Sequence, residues 1–414
     1  MRAIKKIIDR HTEDAAFLWL QRNDAVKEPH YDLNDLAELD NRLAAHLDGL
    51  QVAGTSAWPS IEQNLKIGEP GELFVAAWYT LIFRDEQKFN DIVETVMQSE
   101  DRDSLIQSLI SALAWCPVTI SRPWLIEFSK SSNSFQQYLA VAAYGLIRAD
   151  LDIELDKKIH STHPIVSVRA LRAVGELGRR DLADKLLPFH QDEDRSKRFW
   201  SLWSSVLLGS KSAVDNLQSF VIKNDELSER ALNLYCRAKP NSEAAKLIKQ
   251  LASSENNRRL AIVGSGYNGD PYWIPGLFKL MLDPSTARIA GEAFSMITGA
   301  DLKYLDLDQD APKDFESGPN DDPADGNVAL DIDDSLPWPN ATLIAQWWEE
   351  NNSKYLPGKR YLCGNAINET TCMSLLKNGY QRQRIAASYE LALSGKPLFN
   401  VRQSGLQQKS ILMR

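Results

Sequence analysis

Apolar residues along this chain recur at helical rather than strand spacing. Leu36, Leu39, Leu43 and Leu47 fall three and four residues apart, and Ala15, Phe17, Leu18, Trp19 and Leu20 crowd an earlier stretch. The pattern predicts helices over about 12–25 and 33–50. Gly54, Pro59, Gly68, Pro70 and Gly71 then interrupt it, which reads residues 51–71 as a connecting loop. Beyond the break one phrase keeps returning. It reads Val-Arg-Ala-Leu-Arg-Ala-Val-Gly at 168–175, Lys-Arg-Phe-Trp-Ser-Leu-Trp at 197–203 and Glu-Arg-Ala-Leu-Asn-Leu-Tyr at 229–235. It recurs as Arg-Arg-Leu-Ala-Ile-Val-Gly at 258–264 and Ala-Arg-Ile-Ala-Gly-Glu-Ala-Phe at 287–294. The second residue is always arginine, so Arg169, Arg198, Arg230, Arg259 and Arg288 form a ladder with steps of 29, 32, 29 and 29 residues.

A period near thirty with helical patterning predicts stacked helix pairs, each too small to bury its apolar face alone. The chain therefore reads as all-α, a HEAT-like α-solenoid. Units fall near 71–100, 101–131, 133–160, 164–190, 194–223, 226–252 and 255–282, with a last first-helix at about 285–298. Gln137 takes the arginine slot of the third unit, and the first two are degenerate. The expected division is an N-terminal helical cap and linker over 1–70, repeats over 71–299, an acidic and partly extended insertion over 300–340, and a C-terminal helical cap over 341–414. In that cap Gln383-Arg384-Ile385-Ala386-Ala387 repeats the phrase once more. Pro164, Pro271 and Pro284 suit first helical turns, with Asp270 and Asp283 as caps before two of them.

An acid precedes most of the repeated arginines by four or five residues: Asp194, Asp225, Glu255 and Asp283. One helical turn separates each from its arginine, so the spacing predicts a structural ladder in which each carboxylate pairs with the guanidinium of its own or a neighbouring repeat. The 164–190 unit has no acid there, which leaves Arg169 as the arginine expected to be free for a ligand.

Composition adds two constraints. The four cysteines, Cys116, Cys236, Cys363 and Cys372, have no short paired spacing, so neither a disulfide framework nor a zinc site is expected. No signal-peptide run or uncharged membrane-length stretch occurs, and the chain reads as cytoplasmic with no membrane insertion. Net charge is −9, yet residues 301–334 hold 12 acids (11 Asp and Glu316) against Lys303 and Lys313. The rest of the chain is close to neutral, which argues against a nucleic-acid partner. In the acidic stretch Val328, Leu330 and Ile332 alternate with polar residues, flanked by Phe315, Leu336 and Trp338, predicting an extended strand docked through apolar anchors. Asp321, Asp322, Asp325 and Trp338 are its candidate partner-binding residues.

Catalytic and ligand motifs are weak. Gly264-Ser265-Gly266-Tyr267-Asn268-Gly269 matches a dinucleotide fingerprint by letter, but it ends a helix before Asp270-Pro271 rather than following a strand, so it reads as a glycine C-cap and turn. Asp306, Asp308 and Asp310 begin like a calcium loop whose sixth and twelfth positions are Ala311 and Ser317. A second frame from Asp321 has Gly326 in place but ends on Ile332. The six histidines make no i, i+4 pair, and His160 and His163 read as a helix end before Pro164. No catalytic residue, metal ligand or cofactor is assigned.

Several phrases taken in order carry a resemblance: Ala290-Gly291-Glu292-Ala293-Phe294-Ser295-Met296-Ile297-Thr298-Gly299, Gly318-Pro319-Asn320-Asp321-Asp322-Pro323 and Leu336-Pro337-Trp338-Pro339, with Ala16–Arg22, Tyr380–Arg384 and Pro397–Val401 around them. Together they resemble a bacterial HEAT-repeat family whose genes lie in type VI secretion clusters. The resemblance implies an accessory, as adaptor, chaperone or immunity protein, for a secretion effector, with a protein partner such as an effector, spike-tip or adaptor component. It carries over no catalytic residue. The alternative is an enzyme or a small-ligand or nucleic-acid-binding protein on a HEAT scaffold.

Overall fold

The computed structural model describes residues 4–149, 151, 153–313, 315, 318–319, 326 and 330–413. Its helices are α1 (Lys5–Ala25), α2 (Leu33–Ala53), α3 (Trp58–Leu65), α4 (Pro70–Phe83), α5 (Glu86–Gln98), α6 (Arg102–Trp115), α7 (Val118–Lys130) and α8 (Ser134–Ile147). Then come α9 (Leu155–Ile159), α10 (Pro164–Glu176), α11 (Ala183–Leu186), α12 (Arg195–Leu207), α13 (Lys211–Val221), α14 (Ser228–Ala238), α15 (Asn241–Ala252), α16 (Arg258–Asn268), α17 (Ile274–Leu280) and α18 (Ala287–Thr298). Two short strands, β1 (Asp308–Gln309) and β2 (Trp338–Pro339), bracket the acidic stretch. They are followed by α19 (Ala341–Asn351), β3 (Tyr361–Leu362), β4 (Asn365–Ala366), α20 (Glu369–Asn378), α21 (Gln381–Leu393) and α22 (Gly405–Leu412). The protein is mostly helical, and the predicted pairs are present: each expected unit from 71–100 to 255–282 holds two helices, several second helices being short.

Two compact units divide the chain, residues 1–204 with 400–414 and residues 205–399. This differs from the division expected from sequence, which kept 71–299 as one body. In the first unit α4 packs on α1 and α6, α6 on α8, and α8 on α10, so each first helix touches the next. Helix α4 lies at its centre; Leu73, Phe74, Val75, Ala76, Ala77 and Leu81 are all buried, the pattern of a helix apolar on every side. In the second unit α14 packs on α13 and α16, and α16 on α15 and α18, with α21 against α14 and α20.

Three expectations need correction. The supposed loop 51–71 contains α3, because Pro59 sits in its first turn, where the missing N–H costs nothing, and Ile61 is fully buried. The C-terminal cap is not one body: residues 341–399 belong to the second unit, while α22 packs on α2. Gly405 permits that contact, since a Cβ there would lie 2.8 Å from the Ala37 Cα. The glycine run 264–269 lies mostly inside α16, where Gly264 and Gly266 let Leu232 and Ala293 approach closely. Only Gly269 is the expected left-handed C-cap, with φ of 74°.

Strands β1 and β2 pair antiparallel, Asp308 opposite Pro339 and Gln309 opposite Trp338. They pin the two ends of the acidic stretch to each other.

Candidate interaction surfaces

Three of the acids upstream of the repeated arginines bond to backbone N–H groups near their own helix starts. Asp283 accepts from the Ser285 N–H (3.0 Å) and pairs with Arg258 (3.2 Å), which Glu255 also contacts (2.8 Å). Asp194 accepts from the N–H groups of Ser196 (2.8 Å) and Lys197 (3.1 Å), and Asp225 from Leu227 (3.0 Å). These carboxylates face unsatisfied N–H donors of their own helix starts, the nearer demand. Arg198 donates to the Asp192 carbonyl, and Arg230 is exposed.

Arg259 and Arg288 take their counter-ions from the acidic stretch. Asp333 receives both Arg259 Nη atoms, at 2.6 and 2.7 Å, and Asp331 pairs with Arg288. The Arg288 guanidinium lies 4.6 Å from the Trp338 ring centre and 5.3 Å from that of Phe315. Trp338, proposed from sequence as partner-binding, is thus half-buried on an arginine of its own unit. Asp321, Asp322 and Asp325 lie outside the described residues, as does Val328.

The same two pairs overturn the expected docking of this stretch. Leu330 and Ile332, read as apolar anchors, are 84% and 70% exposed. Their polar neighbours Asp331 and Asp333 face inward instead, because the surface they meet carries Arg288 and Arg259. Residues 332–335 form a turn, with the Asp334 N–H donating to the Asp331 carbonyl and the Leu336 N–H to the Asp333 carbonyl, so the expected extended strand is absent among the described residues and the turn aims its carboxylates at the arginines. Phe315, Leu336 and Trp338 do pack inward as expected. Around them Tyr304 (84% exposed), Asp306, Asp310 and Asp334 are exposed, so the outer side of this stretch mixes acids with apolar groups.

Elsewhere in the second unit, Arg382 Nη1 grips both oxygens of Glu292 at 2.8 and 2.7 Å, and the Tyr267 hydroxyl donates to Glu229 at 2.7 Å. Burial raises the Glu292 pKa, and Arg382 opposes that rise. Arg237 and Arg360 share Glu390 at 2.8 and 2.5 Å.

In the first unit, Arg169 corrects the expectation that it is free. Its Nη2 lies 2.8 Å from Glu176 Oε2, a charge contact out of line for a hydrogen bond, and donates to the Ala142 carbonyl at 3.1 Å. The acid comes from two turns downstream on its own helix, whereas the sequence pattern pointed upstream. Gly145 leaves the space, since a Cβ there would strike Arg169 Nη2 and Glu176 Oε2. Arg172 Nε donates to Glu176 Oε1 at 2.7 Å, and its guanidinium lies 4.6 Å from the Trp200 ring centre. Burial alone would raise the Glu176 pKa, but Arg169, Arg172 and Arg148 prevail and lower it to about 2. Beside this cluster opens a groove of roughly 350 Å³ lined by Tyr138, Ile165, Val168, Arg169, Arg172 and Trp200, among others.

A second pocket of the first unit, roughly 320 Å³, runs between Trp19 and Trp115. At its wall Arg22 Nε pairs with Asp40 at 2.9 Å and donates through Nη2 to the Gln403 carbonyl at 2.9 Å, while Asp40 accepts from the Gly405 N–H at 2.5 Å. These bonds tie the C-terminal segment to α1 and α2.

Sequence spacing missed one histidine contact: His11 and His46 bring their Nδ1 atoms to 3.2 Å across α1 and α2. Among the described residues no group of three or more His, Cys, Asp or Glu side chains is placed to hold a metal ion, and no helix is long and apolar enough to cross a membrane. All four cysteines are free thiols, with burial pushing Cys236 and Cys363 up to about 12 and Cys372 to about 11. Thiols held so far toward the protonated form are poor nucleophiles. Comparisons with protein-family models, curated proteins and solved structures find no match to this chain.

Proposed function

We propose that this protein is a non-catalytic helical-repeat scaffold of the HEAT-like α-solenoid type, and that it binds a basic protein partner through its acidic insertion. One observation carries the reading: Asp331 and Asp333 are held by Arg288 and Arg259 while Leu330 and Ile332 point outward among exposed acids. Holding the described residues of this acidic stretch against the body costs chain entropy and self-repulsion. Leaving large apolar side chains on its outer side forgoes their burial as well. Both costs are recovered when a basic surface with apolar contacts covers the stretch, because acids steer association and Leu330, Ile332 and Tyr304 supply area. The repeat architecture agrees, since stacked helix pairs leave an extended surface for a macromolecule.

The sequence resemblance gives the partner a place: an effector of a type VI secretion system, or a component that loads it, with this protein as adaptor, chaperone or immunity protein in the cytoplasm. The test is co-purification from a host carrying such a cluster, at low and high salt, with the partners identified by mass spectrometry. The reading expects a basic secretion component retained at low salt and released at high salt. Recovery of no secretion component at either salt contradicts it.

A further inference from the structure

The groove of the first unit holds an unmet demand for negative charge. Arg169 is 8% exposed, and its Nη1 is buried without a hydrogen-bond partner. A guanidinium left with a desolvated N–H is costly, and proteins rarely leave one so. At the groove itself two guanidiniums, Arg169 and Arg172, meet the one carboxylate of Glu176 among the described residues. The other acid at the groove, Asp194, is occupied by the first N–H groups of α12. Facing these cations are the rings of Tyr138 and Trp200 and the side chains of Pro164, Ile165 and Val168, with Ile165 47% exposed at the mouth.

We propose that this groove binds a carboxylate attached to an apolar or aromatic body, the carboxylate meeting Arg169 and Arg172 and the body lying between Tyr138 and Trp200. A monoanion fits better than a phosphate dianion, which Glu176 and Asp194 would repel twice over. Arg172 already donates to a carboxylate here, through Nε to Glu176 Oε1 at 2.7 Å, while the Arg169 Nη1 has no such acceptor. Aromatic walls beside a fixed cation favour a flat or branched apolar group next to the acid. The carboxylate has two sources, a small aromatic or aliphatic acid and the free C-terminus of a chain ending in a large apolar residue. This inference stands apart from the acidic insertion, and either can fail alone.

Titration of the full-length protein with phenylacetate, its neutral amide, and a short peptide ending in phenylalanine with a free or amidated C-terminus tests it, read by calorimetry. Phenylacetate or the free-acid peptide is expected to bind at least about ten-fold more tightly than its amide. Preference for phenylacetate assigns a small acid, and tighter binding of the peptide assigns a chain terminus. Ile165→Glu places a carboxylate at the mouth in the first turn of α10, where an acid suits the helix and leaves folding intact. It should weaken binding at least about ten-fold by like-charge repulsion. Arg172→Gln should do the same, with its circular dichroism and melting as the check on folding. Equal affinity for acid and amide, no binding of either acid, or unchanged binding by a folded Ile165→Glu protein overturns the proposal.

Discussion

At the residue scale, the arginines of one repeated phrase play unlike parts, and the difference is set by what lies opposite each. Arg288 is buried between Trp338 and Phe315 with Asp331 as its counter-ion, whereas Arg230 stands exposed. Removing Arg288 strands a partly buried carboxylate, so Arg288→Ala should cost about 2–4 kcal/mol in urea unfolding of the second unit. Arg230→Ala should cost less than about 1 kcal/mol. Equal losses would show that the ladder acts uniformly, as its spacing implied. Glu176 supplies a pH test. Its folded pKa of about 2 lies below the ordinary 4.5, so its ionised form stabilises the fold. That contribution is fully present above about pH 4.5 and disappears as pH falls through about 2. Amide exchange of residues 164–176 should separate native protein from Glu176→Gln by a constant margin between pH 7 and 5, shrinking below pH 4.5. A margin that already narrows near pH 6 would mean Glu176 is not held by its arginines. The sequence showed the arginines themselves plainly, because a period of 29 is visible in letters. Their partners were hidden, since Asp331 and Asp333 lie 43 and 74 residues from Arg288 and Arg259 and no local spacing encodes such pairs.

At the scale of elements, helix pairs were legible because apolar spacing and capping residues both repeat; α10 begins at Pro164 and α18 is capped by Gly299, as their positions imply. What misled was punctuation and alternation. Pro59 looked like a break yet opens α3, and the Leu330–Ile332 alternation looked like a strand with its apolar side in. Alternation in the letters does not say which side chains meet the body, and here a turn over 332–335 aims Asp331 and Asp333 at two arginines. Asp331→Asn with Asp333→Asn should therefore release this stretch while α16 and α18 persist. Hydrogen exchange should rise over 330–336 and stay unchanged within 258–268 and 287–298. Exchange that rises equally in both helices would mean the stretch is part of their core. For the C-terminal segment, Gly405→Val should detach α22, since a side chain at 405 meets the Ala37 backbone, exposing residues 400–413 to protease with α1 and α2 still helical.

At the scale of the whole molecule, near-neutral repeats carry one acidic stretch that accounts for the net charge of −9. The candidate surfaces were only half legible there. Composition located the stretch and its sign, but which of its residues face outward depended on the buried pairs beneath it. The groove beside Arg169 left no trace beyond the missing upstream acid, because Glu176, Tyr138 and Trp200 come from three helices that sequence order separates. The central claim is that the outer side of the acidic stretch is where a basic protein docks. A photo-crosslinking residue placed at position 332 in living host cells tests this most directly, with one at exposed Leu187 as control. The account predicts a discrete adduct with a basic protein from position 332 alone, lost when Asp321, Asp322 and Asp325 become serine. No adduct at 332, or the same adducts from 332 and 187, would contradict it.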